Sequence, residues 1–284
     1  MSSMAWMLVL LQLAAWAATA SSSLVAKPGC QARCGDIDVP YPFGIGARCF
    51  RPGFEIACNN MKLFLPDATI ARRTRPAVPV RVLKLTVMPS AQVQVRLPVA
   101  HQCFDAAGNE TAGSFDGRLT INKLGVYRIS NTANELFVLR PGSAGRIGCC
   151  HVNISALLTN TKMRFQTWSK ALVDINRPCN YAFIVERNYY VFKAADLNRT
   201  AEQAKQWSMP LWLDWAIRDG SNSSSCPVPD KTPGYACMSN RSKCAKSING
   251  VGYYCICNQG YEGNPYLENG CTGKCNSSTL SILH

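Results

Sequence analysis

Cysteine is the residue type with the most specific chemistry in this sequence, fifteen copies against three histidines. Thiols at such density either bridge one another in an oxidising compartment or hold zinc, and zinc needs paired Cys-x-x-Cys or Cys/His groups at ligand spacing. No such pair occurs, and His101, His151 and His284 are scattered. The cysteines therefore read as structural bridges, with no metal or other cofactor expected. The sharpest arrangement is Cys226, Cys237, Cys244, Cys255, Cys257 and Cys271, with gaps of ten, six, ten, one and thirteen residues. Gly252-Tyr253-Tyr254 and Gly260-Tyr261-Glu262-Gly263 surround its tight Cys-x-Cys. A segment this short cannot fold by burial alone, so each bridge is needed, at about 2–4 kcal/mol apiece.

The second chemistry is charge. The chain carries a formal +13 at pH 7, and the stretch from Ala68 to Phe104 holds Arg72, Arg73, Arg75, Arg81, Lys84 and Arg96 without one acidic residue. Such a segment tolerates a polyanion, although basic residues on a strand are also the ordinary material of a solvated face. Guanidinium groups read carboxylates by charge-assisted, sometimes bidentate, hydrogen bonds. Because one exposed ion pair contributes only about 0–1 kcal/mol, useful affinity needs several in register.

The acids do not assemble a reaction. Asp36, Asp38, Asp105 and Asp116 sit in no recognisable motif, whereas glycan cleavage needs two carboxyl groups with tuned protonation. No Gly-x-Ser-x-Gly occurs, His101 and His151 read as structural, and the chain is expected not to be an enzyme. Nucleic acid as a partner conflicts with the address at the amino terminus. Met4 to Ala20 is an apolar run ending in Ala18-Thr19-Ala20, which reads as a cleavable secretory leader over residues 1–20. Asn-x-Ser/Thr sequons at Asn109, Asn153, Asn198, Asn222, Asn240 and Asn276 support the same address as glycosylation sites. No later run is apolar enough for long enough to cross a bilayer, so a secreted chain without a membrane span is expected.

The elements that must hold these residues are mainly strands. Val78 to Val99 alternates, predicting two strands joined by a turn at Met88 to Ser90, with Leu85 opposite Val93, Leu83 opposite Val95, and Lys84 and Gln94 sharing the exposed face. Short strands are predicted in Gly125–Ser130, Leu136–Leu139, Met163–Trp168 and Leu211–Ile217, a hairpin in Tyr181–Phe192 with its turn at Arg187-Asn188, and a helix at Ala201–Trp207. Before them, Pro40, Pro42, Gly44 and Gly46 prevent a helix, so bridges must hold that loop-rich stretch. The fold class is mainly β and disulfide-rich: cysteine-stapled β modules over 27–104 and 105–225, a small third module over 226–271 after the polar linker Ser221–Ser225, and a tail over 272–284.

Residues 226–271 closely resemble an EGF-like module, and the resemblance implies Cys226–Cys244, Cys237–Cys255 and Cys257–Cys271. Calcium-binding modules of that type carry acids where this sequence has Ser223-Ser224-Ser225, so no calcium site is expected. Cys30, Cys34-Gly35, Pro40-Tyr41-Pro42-Phe43-Gly44-Ile45-Gly46, Cys49, Gly53-Phe54, Cys58 and Cys103 resemble the galacturonan-binding domain of plant wall-associated receptor kinases. Gly148-Cys149-Cys150, Cys179-Asn180-Tyr181-Ala182-Phe183, Leu213-Asp214-Trp215-Ala216-Ile217 and Gly260 to Leu267 resemble that family's ectodomain in the same order. The resemblance implies binding of cell-wall pectin outside the cell, by a receptor-like chain truncated before the membrane and kinase parts. Arg72, Arg73, Arg75, Arg81, Lys84 and Arg96 are then the candidate contacts to the polymer. Tyr41 and Phe43 are either sugar-stacking surfaces or core residues beneath their loop. The alternative is a protein-interaction module working through the EGF-like unit, as partner or competitor of related receptor ectodomains.

Two departures from that family pattern matter. Leu136 to Ile147 is shorter than usual and lacks extra cysteines, so pairing around Cys149 and Cys150 is open to rearrangement. Six EGF-like cysteines and eight upstream ones (Cys30, Cys34, Cys49, Cys58, Cys103, Cys149, Cys150, Cys179) leave Cys275 odd: a free thiol, an intermolecular bridge, or a relic of truncation.

Overall fold

The computed structural model describes residues 25–71, 77–111, 114–121, 125–140, 148–165, 178–218, 226–227 and 233–274. The leader, Arg72, Arg73, Arg75, Cys275 and the sequons at Asn222 and Asn276 lie outside the described residues. The fold is mainly β and stapled by six disulfides.

The amino-terminal loops carry only a two-stranded ribbon, β1 (Arg33–Cys34) with β2 (Ile37–Asp38). Cys30–Cys49 and Cys34–Cys58 hold the rest. Gly44 permits the tightest approach, since a Cβ there would lie 2.1 Å from the Cys49 carbonyl oxygen.

The first large sheet follows. β3 (Ala57–Asn59), β4 (Lys62–Ala71), β5 (Val78–Thr86) and β6 (Gln92–Pro98) pair antiparallel in sequence. Leu63 and Leu65, Val80 and Val82, and Val93 and Val95 point inward and are at most 1% exposed, as the period-two alternation of a half-buried sheet requires. Leu85 opposes Val93 and Lys84 opposes Gln94 as expected, but Val82, not Leu83, opposes Val95. A β-bulge at Leu83 takes up one residue and keeps both valines in the core. β7 (Ala100–Cys103) leaves this sheet for a second one. β8 (Arg118–Thr120) and β9 (Tyr127–Ile129) return to the first, and β10 (Asn134–Arg140) and β11 (Gly148–Asn153) join the second. β12 (Asn160–Lys162) closes the β8 edge of the first sheet. The strand expected from Met163 is absent from its described part, 163–165.

β13 (Cys179–Glu186) is the centre of the second sheet, ordered β11-β10-β13-β7. The hairpin expected over Tyr181–Phe192 does not form. Both hydrogen-bonding sides of β13 are taken, by β10 and β7, so the following residues cannot add a strand. Instead Tyr190 lies against Phe137 and Phe183, with ring centroids 4.9 and 5.1 Å away. Helix α1 (Ala201–Gln206) begins with a full capping box between Thr200 and Gln203, and Trp207 after it packs on Tyr181 and Phe183. β14 (Ser208–Trp215) then runs between β6 and β9.

β15 (Ser242–Lys246) with β16 (Tyr253–Cys257) and β17 (Tyr261–Gly263) with β18 (Cys271–Gly273) form the EGF-like unit. Its bridges are Cys226–Cys244, Cys237–Cys255 and Cys257–Cys271, the pairs that the resemblance implies. The segments 27–104, 105–225 and 226–271 do not keep separate cores. Phe43, Phe54, Tyr127, Trp215, Tyr253 and Tyr266 belong to one buried cluster, because β6 finds its partner β14 more than a hundred residues away.

The expected cysteine arithmetic is corrected. Upstream there are three bridges, the third being Cys103–Cys179, while Cys149 and Cys150 are free. They are neighbours on one strand, so their side chains point to opposite faces of the sheet.

Candidate functional site

Every inward residue of β4, β5 and β6 leaves its neighbour facing outward, and this outer face collects the described basic residues. Register alignment makes a row: Phe64 opposes Arg81, Arg81 opposes Arg96, and Arg96 opposes Pro210 of β14. The next row places Lys84 opposite Gln94 and Gln94 opposite Trp212. Lys62, two residues before Phe64, faces the same way. Lys62, Arg81 and Lys84 are exposed and Arg96 is half-buried.

Like charges directly opposed on a sheet are destabilising, and Arg81 faces Arg96 with no acid between them. None of Lys62, Arg81, Lys84 and Arg96 makes an ion pair with another described residue. With strands about 4.8 Å apart, the row from Phe64 to Arg96 spans about 10 Å. The face therefore presents positive charge beside two half-buried aromatic residues, Phe64 and Trp212, with one carboxylate at its margin, where Gln94 Nε2 donates to Glu186 Oε2 at 2.6 Å, an arrangement able to take an extended polymer of carboxylates.

Arg81, Lys84 and Arg96 are thus brought together, whereas Arg72, Arg73 and Arg75 fall outside the described residues. Lys62 and Phe64 were missed by sequence reasoning. Their signal was the alternation Lys62-Leu63-Phe64-Leu65, which is readable once β4 is recognised. Phe43 is corrected: it is 1% exposed and wedged edge-on between Phe54 and Trp215, at 5.3 and 5.4 Å, so it offers no face to a sugar. Tyr41 is half-buried against the same core, where its carbonyl accepts a hydrogen bond from Asn264 Nδ2 at 2.8 Å.

Two of the four acids weighed for glycan cleavage are engaged locally. Asp38 pairs with Arg33 at 2.8 Å. Asp105 accepts the Asn109 backbone N–H at 2.8 Å, and that bond holds its carboxyl below the usual range. His101 is 2% exposed, its Nδ1 3.1 Å from the Val99 carbonyl oxygen. The four described sequon residues, Asn109, Asn153, Asn198 and Asn240, are all exposed.

The EGF-like unit meets the rest through buried asparagines. Asn249 is fully buried; its Nδ2 donates to the Ile129 carbonyl (3.0 Å) and to Asp214 Oδ2 (2.9 Å), and its Oδ1 accepts the Leu157 N–H at 2.8 Å. Asn264 Nδ2 donates to the Val25 and Tyr41 carbonyls. Burial lowers the Arg218 pKa to about 10, helped by nearby Arg128. The Arg218 guanidinium donates to the carbonyls of Gly125, Val126 and Val251.

Comparison with known proteins bears on this geometry. Residues 30–88 match the family described as wall-associated receptor kinase galacturonan-binding, a span that contains β3, β4, β5 and the bridges Cys30–Cys49 and Cys34–Cys58. The chain is 30% identical over 272 residues to "Wall-associated receptor kinase 2" of Arabidopsis thaliana, which covers 85% of this chain and 34% of that protein. It is 28% identical over 291 residues to "Wall-associated receptor kinase 1" of the same plant, covering 91% and 36%. Against "Wall-associated receptor kinase-like 10" the identity is 23%, covering 87% and 39%. The chain thus spans about a third of the length of the curated relatives it matches. No solved structure matches it.

Proposed function

With residues 30–88 belonging to the wall-associated receptor kinase galacturonan-binding family and most of the chain homologous to those receptor kinases, we propose that this protein binds de-esterified pectin outside the cell, without catalysis, through the outer face of β4, β5 and β6. The observation that carries the reading is the opposed pair Arg81 and Arg96, flanked by Lys62, Lys84 and Phe64 and without an ion pair to any carboxylate among the described residues. A galacturonate chain relieves that repulsion by placing carboxylates between the cations, while its sugar ring covers Phe64. Arg72, Arg73 and Arg75 follow β4 in the sequence. The reading of residues 1–20 as a secretory leader and the exposure of Asn109, Asn153, Asn198 and Asn240 fit this address.

The test is a titration of the purified protein on polygalacturonate and on methyl-esterified pectin across ionic strength. Binding that weakens steeply with salt and with esterification is expected, because exposed charge pairs are screened over about 10 Å at 0.1 M salt. Failure to bind polygalacturonate at low ionic strength would overturn the proposal.

Met238 and Ile248 on the EGF-like unit, 48% and 70% exposed, favour a second reading in which that unit holds a protein partner, such as a related receptor ectodomain. Such apolar contact would respond little to salt.

A further inference from the structure

The first sheet continues sideways past the basic face of β4–β6. From β5 its order runs through β4 to β8 and β12, and these last two strands lie beyond residues 30–88, the span that matches the galacturonan-binding family. Ile70 opposes Leu119, and both are buried, at 7% and 2% exposed. Their neighbours along the strands therefore face outward: Ala71 opposes Arg118, and Arg118 opposes Lys162. Thr69 ties this edge to the face already described, since it opposes Pro79, two residues before Arg81, on one side and Thr120 on the other. Arg118 and Lys162 thus share the outer face with Arg81 and Arg96.

The edge repeats the electrostatics of that face. Lys162 against Arg118 is a second directly opposed pair of cations, an arrangement that costs a sheet stability. Both are exposed, as is Arg164 two residues after Lys162. None of the three makes an ion pair with another described residue. Desolvation, then Arg164 and Arg118, lower the Lys162 pKa, and the nearby carboxylate of Asp116 pulls the other way without offsetting them.

The two cation groups stand at a distance that register fixes. Lys162 lies three strands across and four residues along from Arg81. With strands about 4.8 Å apart and about 3.3 Å per residue, that is roughly 20 Å on the diagonal. Between them the outer face carries Thr69, Pro79 and Thr120, two hydroxyls and no charge. Across β4, β5, β6, β8 and β12 the one acid is Asp67, at the irregularity between Leu65 and Thr69.

We propose that Arg118, Lys162 and Arg164 form a second anchor for the polymer, so that one extended galacturonate chain crosses the outer face from Arg96 and Arg81, over Thr69 and Thr120, to the β8–β12 edge. The inference rests on the reading of the β4–β6 face as pectin-binding. The spacing selects an extended polyanion, because a compact anion or a short oligomer reaches one cation group only. The hydroxyls of Thr69 and Thr120 are placed to bond the sugar hydroxyls in between. Once one group holds the chain, the other meets its carboxylates at a raised effective concentration. Affinity therefore climbs with oligomer length until both groups are spanned, and the edge acts as a gauge of length.

The experiment is calorimetric titration of the full chain with trigalacturonate and with dodecagalacturonate at fixed low salt. Arg118→Gln/Lys162→Gln/Arg164→Gln should weaken the long oligomer at least about tenfold more than the short one. A long oligomer also gains by sliding among registers, but that gain is the same in wild type and variant and cancels in the comparison. Lys162→Gln/Arg164→Gln, which leaves β8 untouched, should give a smaller loss in the same direction. Lys243→Gln/Lys246→Gln/Lys274→Gln makes an equal charge change on the EGF-like unit and should cost the long oligomer far less. Arg81→Glu/Lys84→Glu should weaken both oligomers. Wild type that binds neither oligomer would overturn the pectin reading and this proposal with it. Wild type that binds, with the edge variant weakening both oligomers equally or neither, or with the EGF-unit variant losing as much, would overturn the second anchor alone.

Discussion

Arg81 and Arg96 oppose each other on the outer face of β4–β6 with no carboxylate partner among the described residues, whereas Asn249 and Asn264, at the seam between the EGF-like unit and the sheets, have their side-chain amides bonded to several other residues. The asparagine amides of the seam are bonded within the molecule, and the cations of the face have no described ion-pair partner. Buried amides bonded on all sides fix one relative geometry, because any slip leaves them desolvated and unpaired. Repelling surface cations fix nothing inside the molecule and leave their interaction energy for something outside. The EGF-like unit, with Tyr253 and Tyr266 in the common core, is part of the frame, while the strands β4–β6 carry the unspent charge.

The largest effect should come from breaking the seam. Asn249→Ala strands the Leu157 N–H, the Ile129 carbonyl and the Asp214 carboxylate, and should destabilise the protein by about 3 kcal/mol or more, read as a lower melting temperature. The folded fraction should bind polygalacturonate as before. Next, Arg81→Glu with Lys84→Glu should abolish polygalacturonate binding at physiological salt while melting temperature stays within a few degrees; an intact titration would move the site elsewhere.

A sharper version separates stability from binding in one residue. Arg96→Glu places an acid opposite Arg81, and should stabilise the sheet by about 0.2–1 kcal/mol while weakening polygalacturonate binding several-fold. If both quantities fell together, Arg96 would be serving the fold. Phe64→Ala should weaken binding roughly threefold to tenfold, on about 1 kcal/mol for one covered ring face; titration on polygalacturonate measures it. The smallest effect concerns the free thiols Cys149 and Cys150 in protein with its bridges intact. Since burial raises the Cys149 pKa, less of it is thiolate at pH 8, and alkylation followed by mass spectrometry should find Cys150 modified first, with Cys149 catching up as pH rises.

Much of this was legible in the chain itself. The spacing of Cys226 to Cys271 set the cysteine-stapled unit apart, alternation over Val78–Val99 placed Leu85 opposite Val93, and the helix expected from Ala201 starts there. The acid-free run from Ala68 to Phe104 located the charge. These signals are local: each depends on residues within one bridge, one hairpin or one helical turn.

What only the tertiary structure decided is what distant segments do to one another. Phe43 became core because Trp215 and Phe54 close over it. The bulge at Leu83 exists because Val82 and Val95 both belong to the core that β14 and β9 complete. Tyr190 could not extend a hairpin once β10 and β7 had occupied β13. Lys62 and Phe64 joined the basic face through strand register. A side chain's type and its neighbours in sequence set the face it prefers, but whether that face meets water, core or another strand is fixed by pairings across many tens of residues.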